Sequence, residues 1–433
     1  MVLVVLACTA TIAQPAQKSK DGRRPAATTL TKKELEIIRR VEANHPSSLR
    51  ILEQSVNINS GTFNTAGVKA NGDLLAPEFR NIGFETRWID MPAEMKRAGH
   101  LFAERKGTKG KRLLLIGHLD TVFEPESPLQ KWVNMDSIAT GPGVNDMKGG
   151  NILMLYALKA LHEAGVLNDT RIIVALHGDE ENGGDPETIS RRDIMEAAKR
   201  SDLALAFEGA TGFGYGTVAR RGSSGWTLKT SGKRGHSSTV FSPSAGSGAI
   251  YEAARILNSF HQELQEEYLT FNPGMIVGGS TAETHNGEGT ASGKSNIIAE
   301  TTIVKGDLRF ISEEQKMKAR EKMSAIVARH LPLTDAQITF EDGIPSMPPT
   351  PGNYELLGVL DDVSRDMGLG EVKPWDPGKR GAGDISYVAP YISGLDGLGV
   401  MGEGAHGLKE QMDLRTFKDL TARVAVMIYR LTR

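Results

Sequence analysis

The sequence of 433 residues contains a single cysteine, Cys8. That excludes a disulfide framework and any metal site built on thiolates, so a metal here must use His, Asp and Glu. No charge of either sign is in excess: 51 Lys+Arg face 53 Asp+Glu, for a formal net charge of -2. The electrostatic footprint of a nucleic-acid partner is therefore absent, and no charge block marks an interaction tail. Past the N-terminus, no stretch approaches the roughly 20 consecutive apolar residues that a membrane span requires. At 39% hydrophobic and 24% charged, the chain has the composition of a soluble globular protein, and its length favours two domains.

The first residues, MVLVVLACTATIAQPAQKSKDGRRPAATTL, combine an apolar run at Val2–Ala7 with a small-x-small site at Thr11–Ala13. This resembles a secretory signal without its basic leading region. Val5-Leu6-Ala7-Cys8 is also a weak lipobox-like match. Residues 1–30 read as a signal-like segment with a flexible lead-in. Export to the periplasm or outside is the expectation, with the cytoplasm as the alternative.

From Lys32 the chain alternates helices and strands. KRLLLIGHLD and TRIIVALHGDEE are unbroken apolar strands with polar ends, and LALAFEG is a shorter one. MKGGNILMLYALKALHEAG and RRDIMEAAKRSD have helical spacing, the former with Gly165 as C-cap. Apolar strands separated by helices predict an α/β fold whose mostly parallel sheet is covered on both faces. The texture changes near Gly216. GWTLKTSGKRGHSS and SNIIAETTIVKGDLRF alternate like half-exposed antiparallel strands, and each is followed by a helix, the second capped by Ser312. Residues 216–334 therefore read as a small α+β insert. It interrupts a larger α/β domain of residues 31–215 and 335–433.

In open α/β sheets ligands bind at the carboxyl ends of the strands. There the sequence places His118 and Asp120 after RLLLIG, Asp179, Glu180 and Glu181 after RIIVALHG, Glu208 after LALAF, and His406 after GLGVMGEGA. The glycine-rich GPGVNDMKGG adds Asp146 ahead of its helix. Taken singly, an acid of this kind caps a helix or faces solvent. Taken together, five segments deliver His or carboxylate to one edge. Carboxylates so crowded repel unless a cation holds them. Two histidines with several carboxylates suit zinc, and they are too many for one tetrahedral ion. Two metals sharing a carboxylate would use them. Adjacent Glu180 and Glu181 cannot both point the same way, which leaves one to ligate and one to handle water.

The motifs GHLDTV, GPGVNDMKGG, DEENGG, FEG and GAHG together resemble the dinuclear-zinc exopeptidase and deacylase family. That family includes glutamate carboxypeptidase, acetylornithine deacetylase and succinyl-diaminopimelate desuccinylase. The resemblance implies two Zn2+ per chain, with Co2+ or Mn2+ as alternatives. His118, Glu208 and one side of Asp146 would hold the first ion. Glu181, His406 and the other side of Asp146 would hold the second. Glu180 would be the general base that deprotonates the bridging water and passes the proton to the leaving amine. Asp120 would orient the His118 ring.

The insert resembles the family's lid or dimerisation domain, which implies a homodimer. His236 in SGKRGHSS would stabilise the oxyanion across the dimer, or is simply a turn histidine. Asn296 in SNII and Arg309 in DLRF would bind the substrate carboxylate, with an ordinary ion pair as the alternative for Arg309. Gly381 and Gly383 in GKRGAGDIS would let backbone approach the ligand. Two features depart from the family. FEDGIPSMPP lacks the basic residue that glutamate-cleaving relatives carry there, and GGSTAETHNGEGTASGKSN is long. His285, in that long segment, is left without a role. The expected activity is hydrolysis of an amide bond beside a free carboxylate, carboxypeptidase-like. An N-acyl-amino-acid deacylase is the alternative, and a non-catalytic metal-binding scaffold is the reading from another class.

Overall fold

The structure is a computed structural model and describes residues 30–433. The signal-like segment, with Cys8, lies outside the described residues. No helix among the described residues is long and apolar enough to cross a membrane.

Helix α1 (Lys32–Asn57) opens with a capping box in which Thr31 and Glu34 exchange hydrogen bonds. It is followed by α2 (Thr65–Asn81), β1 (Glu85–Asp90), β2 (Gly99–Arg105) and β3 (Lys109–His118). Next come α3 (Lys148–Glu163), β4 (Thr170–His177), α4 (Arg192–Lys199) and β5 (Leu203–Ala206). The insert supplies β6 (Gly222–Gly232), α5 (Ala249–Glu263), β7 (Thr270–Gly279), the hairpin β8 (Thr281–His285) and β9 (Glu288–Ser292), β10 (Thr301–Phe310), α6 (Glu313–Val327) and β11 (Thr334–Asp342). The chain closes with α7 (Pro351–Asp366), β12 (Ser393–Leu395) and α8 (Leu414–Leu431).

The main sheet has the order β1-β2-β4-β3-β5-β12. Its four strands from β4 to β12 run parallel. At the other side β2 joins β4 antiparallel and β1 joins β2 antiparallel, an edge pair that the sequence reading did not separate. The inner strands are unbroken apolar runs because both faces are covered. Leu113 to Ile116 of β3 are all buried, and α3 is buried along nearly its whole length between the sheet and helices α1 and α8. Burying that much aliphatic surface is what holds the strand ends in fixed register. That register places His118, the last residue of β3, opposite His177, the last of β4.

The insert has its own antiparallel sheet, in the order β7-β10-β6-β11, and its own core around Trp226, Phe260, Phe310 and Met323. Along β6 buried and half-buried residues alternate, as its sequence pattern predicts. Ser312 caps α6 by accepting from the Gln315 N–H. The long Gly/Ser/Thr-rich segment is the exposed hairpin β8–β9, with His285 at the end of β8.

One expectation about strand ends needs correction. GLGVMGEGA is not one continuous strand leading to His406: it holds only the two-residue strand Gly402–Glu403, paired antiparallel with Gln411 and Met412. β12 ends at Leu395, and His406 sits in a turn eleven residues later. Glycines break the strand: Gly397 has φ 74°, and a Cβ on Gly399 would lie 2.2 Å from the Phe207 carbonyl oxygen.

Candidate metal centre

His118 reaches the site from the end of β3 and is 1% exposed. Its Nδ1 lies 3.0 Å from the Asp120 main-chain oxygen and 3.4 Å from the Asp120 carboxylate. Its other nitrogen, Nε2, faces Asp146 Oδ1 at 3.1 Å and Glu208 Oε1 at 3.8 Å. Asp146 turns its second oxygen the other way: Oδ2 is 3.0 Å from His406 Nε2, which in turn is 3.1 Å from Glu181 Oε2. Two groups thus form, His118–Asp146–Glu208 and Asp146–Glu181–His406, each with ligand atoms within 4.8 Å of one another and each able to hold a metal ion. Asp146 belongs to both.

Local packing explains the placement of Asp146. It lies two residues ahead of α3, whose first turn carries Gly149 and Gly150. A Cβ on Gly150 would stand 2.0 Å from the Phe207 carbonyl oxygen. Without side chains there, the helix start presses against the end of β5 and brings Asp146 to Glu208.

The electrostatics show an excess of negative charge. Burial works against an ionised Asp146, but hydrogen bonds with His118 and His406 hold its carboxyl far below the ordinary carboxylate range. Burial and then the charge of Asp146 push Glu208 up to about 8. Burial also lifts Glu180 well above its ordinary value; His118 opposes this, and Glu208, Asp384 and Glu181 add to it. The histidines compensate. Hydrogen bonds to Asp146 and Glu181 raise His406 to about 11. His118 is raised well above its ordinary value despite its burial, by Asp120 and Asp146. Protons are gathered where positive charge is needed. Divalent cations on these nitrogen and oxygen donors would meet the same need, so the residues fit a metal.

The cluster also has supports that sequence reasoning missed. The Asp120 carboxylate accepts from the Glu180 and Glu181 N–H groups, each at 3.1 Å, and from the Thr62 hydroxyl at 2.7 Å. It therefore fixes the segment bearing both glutamates as well as standing beside His118. The buried Glu410 accepts from the Asn145 and Asp146 N–H groups at 2.8 and 3.0 Å and so holds the shared aspartate. The Asn151 side chain donates to the His118 carbonyl at 2.6 Å. Behind Glu180, Arg191 bridges Asp179 at 2.5 Å and Asp384 at 2.8 Å. No local sequence signal marks these residues, because each partner is distant along the chain. Of them, only Asp120, read as orienting His118, and the acidic run containing Asp179 drew attention.

The remaining expected site residues lie outside the two groups. His236 is an exposed cap residue on the insert, with Nδ1 near the Ser238 hydroxyl at 2.8 Å. Asn296 is exposed beside it, and its carbonyl accepts from the Ser237 N–H at 2.9 Å. Arg309 is ion-paired with Asp307 at 2.8 Å. The carbonyl of Gly381 accepts from Arg220 Nε at 2.6 Å, and a Cβ on Gly383 would meet the Arg220 guanidinium at 2.3 Å. Gly383 is therefore small to admit a protein side chain, where the expectation was a ligand.

Residues 114–430 match the profile of Peptidase family M20/M25/M40. The chain belongs to this family. It is 29% identical to Carboxypeptidase G2 of Pseudomonas sp. (strain RS-16) over 382 residues, which cover 84% of each chain. It is 24% identical to the succinyl-diaminopimelate desuccinylase of Delftia acidovorans over 392 residues, covering 87% of this chain and 96% of that one. Among solved structures, aminopeptidase PepT of Bacillus cereus superposes with a TM-score of 0.73 at 18% identity, over 90% of this chain and 99% of that one. A dinuclear metal-binding peptidase of the M20 family from Bacillus subtilis superposes with a TM-score of 0.63 at 12% identity, over 90% of this chain and 99% of that one. The fold, a mixed α/β catalytic part with an inserted α+β domain, is shared. The protein is an M20 hydrolase, of a family of metal-dependent peptidases and deacylases.

Proposed function

We propose that the protein hydrolyses an amide bond beside a free carboxylate, as a carboxypeptidase-like exopeptidase using two zinc ions. The observation that carries this reading is the two-sided use of Asp146, with one His and one Glu completing each side. His118, Glu208 and Asp146 Oδ1 would hold one ion, and Glu181, His406 and Asp146 Oδ2 the other. When bound, the ions supply the positive charge that acidifies the attacking water and polarises the scissile carbonyl. Glu180 is the general base. Its carboxyl makes no hydrogen bond among the described residues, and its main chain is fixed by Asp120. It takes a proton from the attacking water and returns it to the departing nitrogen. Asp120 positions Glu180, Glu181 and His118 together.

The test is Glu180→Gln, which should keep its metal and lose about 10²- to 10⁴-fold in turnover. Turnover near the parent's would remove Glu180 from this role. The deacylase reading uses the same groups and is favoured by the desuccinylase relatives. A panel of dipeptides and N-acyl amino acids separates the two. A non-catalytic scaffold is disfavoured because every metal candidate and Glu180 are in place together.

We take residues 31–215 and 335–433 as the catalytic unit and 216–334 as the lid. The lid would pair with a second copy, bringing His236 to the partner's site with Asn296 beside it. Strand β7 lies at a sheet edge with Ile276 exposed, and Phe241 and Tyr251 form an exposed ring pair at 5.2 Å. A monomer in sedimentation velocity would rule this pairing out. Export rests on the N-terminal sequence alone, and mass spectrometry of the mature N-terminus decides it.

A further inference from the structure

A cavity of about 550 Å³ lies beside the metal centre. None of the metal candidates lines it, but residues near them in the chain do: Asn145 precedes Asp146, Gly209 follows Glu208, and Gly402 lies four residues before His406. Trp375 and Arg380 complete the wall. Two of the lining residues, Asn145 and Gly209, are thus the chain neighbours of metal candidates.

The wall is kept open by glycine. A Cβ on Gly402 would stand 2.6 Å from Asn145 Oδ1, and one on Gly209 3.4 Å from it. Among the described residues, that buried amide oxygen has no hydrogen-bond partner. Such an acceptor can take a hydrogen bond from water or from a ligand.

The charges of the cavity are unequal in how far they are already satisfied. Arg415 is held in two hydrogen bonds by Asp413, at 2.9 and 2.7 Å. Among the described residues Arg380 has no such partner. Its Nη2 donates to the neutral Gly209 carbonyl at 2.9 Å. Its nearest carboxylate, Asp396, is 3.9 Å away and is already paired with Arg220 at 2.8 Å. One carboxylate therefore serves two guanidinium groups, and Arg380 is left with charge to spare. Glu403, also on the wall, accepts from the Gln411 side chain. The cavity thus suits a ligand with a single carboxylate and an N–H donor rather than a polyanion. Trp375 adds an aromatic face.

Arg309, the residue expected to anchor a carboxylate, is taken by Asp307, and residues 340–349 hold no basic side chain. We infer that Arg380 is the residue that binds the substrate's free carboxylate, in the cavity between Gly209 and Gly402, with Asn145 accepting from a substrate N–H. This rests on the amide-hydrolase reading for what the ligand is. A planar guanidinium meets a carboxylate in a two-bonded geometry, which the carboxamide analogue cannot reproduce.

The experiment measures binding by calorimetry to the metal-loaded Glu180→Gln protein. The ligands are N-acetylglycine, N-acetylphenylalanine, N-acetylglutamate and their C-terminal carboxamides. At least one acid should bind about tenfold or more tighter than its amide. Arg380→Met should erase that preference, Arg380→Lys should restore part of it, and Arg309→Met should leave it intact. Acid and amide binding alike, no acid binding at all, or an Arg380→Met protein that keeps the preference would each overturn the assignment. The acid-against-amide comparison needs no change at Arg380, so it stands even where that variant folds poorly. Turnover of the parent and of Glu180→Gln, measured in parallel, reports separately on the hydrolase reading.

Discussion

The two halves of the metal cluster share Asp146 and differ in what holds them. His118 ends a central strand, is 1% exposed, and has its carbonyl gripped by Asn151. His406 is 58% exposed and sits in a glycine-flanked turn at φ 64°, a left-handed conformation that costs an L-residue about 1–2 kcal/mol. The first half is fixed by the sheet before any ion arrives. The second depends on a surface turn whose own backbone does not favour the shape. A buried half gives order and an open half gives access, and ions are expected to leave the open half first.

Three perturbations test this contrast, taken in order of expected effect. Asp146→Ala removes the carboxylate common to both halves, and both ions should be lost, read by metal analysis of the purified protein. Retention of a full ion by either half would show that Asp146 is not shared. Glu410→Ala frees the Asn145 and Asp146 N–H groups behind the shared carboxylate. Residues of this outer kind typically contribute about 10- to 100-fold in metal affinity. The loss should fall on both halves, and a loss confined to the His406 half would place Glu410 with the turn alone.

The smallest effect concerns pH. His100 is lowered to about 3, first by burial and then by the neighbouring His177. Its Nδ1 accepts from the Gly178 N–H at 3.2 Å, so Nε2 carries the proton and faces the Ser190 carbonyl at 3.0 Å. Protonating Nδ1 would break the bond to Gly178, the residue that starts the acidic turn. Between pH 6.5 and about 3 the unfolded chain therefore binds the extra proton and the folded chain does not. Stability is retained above the unfolded value and lost as pH falls through this window. Denaturant titrations should show the slope, and His100→Gln should flatten it. An unchanged slope would move the acid sensitivity to other groups.

The same contrast explains what could be read from the sequence. Parallel strands buried on both faces appear as apolar runs, so the ends of β3, β4 and β5, with His118, Glu180, Glu181 and Glu208, were legible. So was Asp146, because GPGVNDMKGG combines an acid with the glycines that let α3 approach β5. The strand expected before His406 is cut to two residues, Gly402–Glu403, because a glycine-rich stretch carries no pattern that separates a strand from a turn. The edge pair β1–β2 alternates too weakly to announce its antiparallel direction. Glu410, Thr62, Asn151 and the Arg191–Asp384 pair act through partners that are mostly tens to hundreds of residues away, and no local spacing encodes such contacts. Arg309 shows the reverse case. Its motif allowed a ligand or an ordinary ion pair, and Asp307, two residues away, supplies an ion pair.

The most direct test of the central claim is a zinc titration of metal-free protein followed by chelator-driven release, with His118→Ala and His406→Ala in parallel. The account predicts two ions per chain leaving in two phases, the faster phase missing in His406→Ala and the slower one missing in His118→Ala. One ion per chain, or a single phase that neither substitution changes, would contradict it.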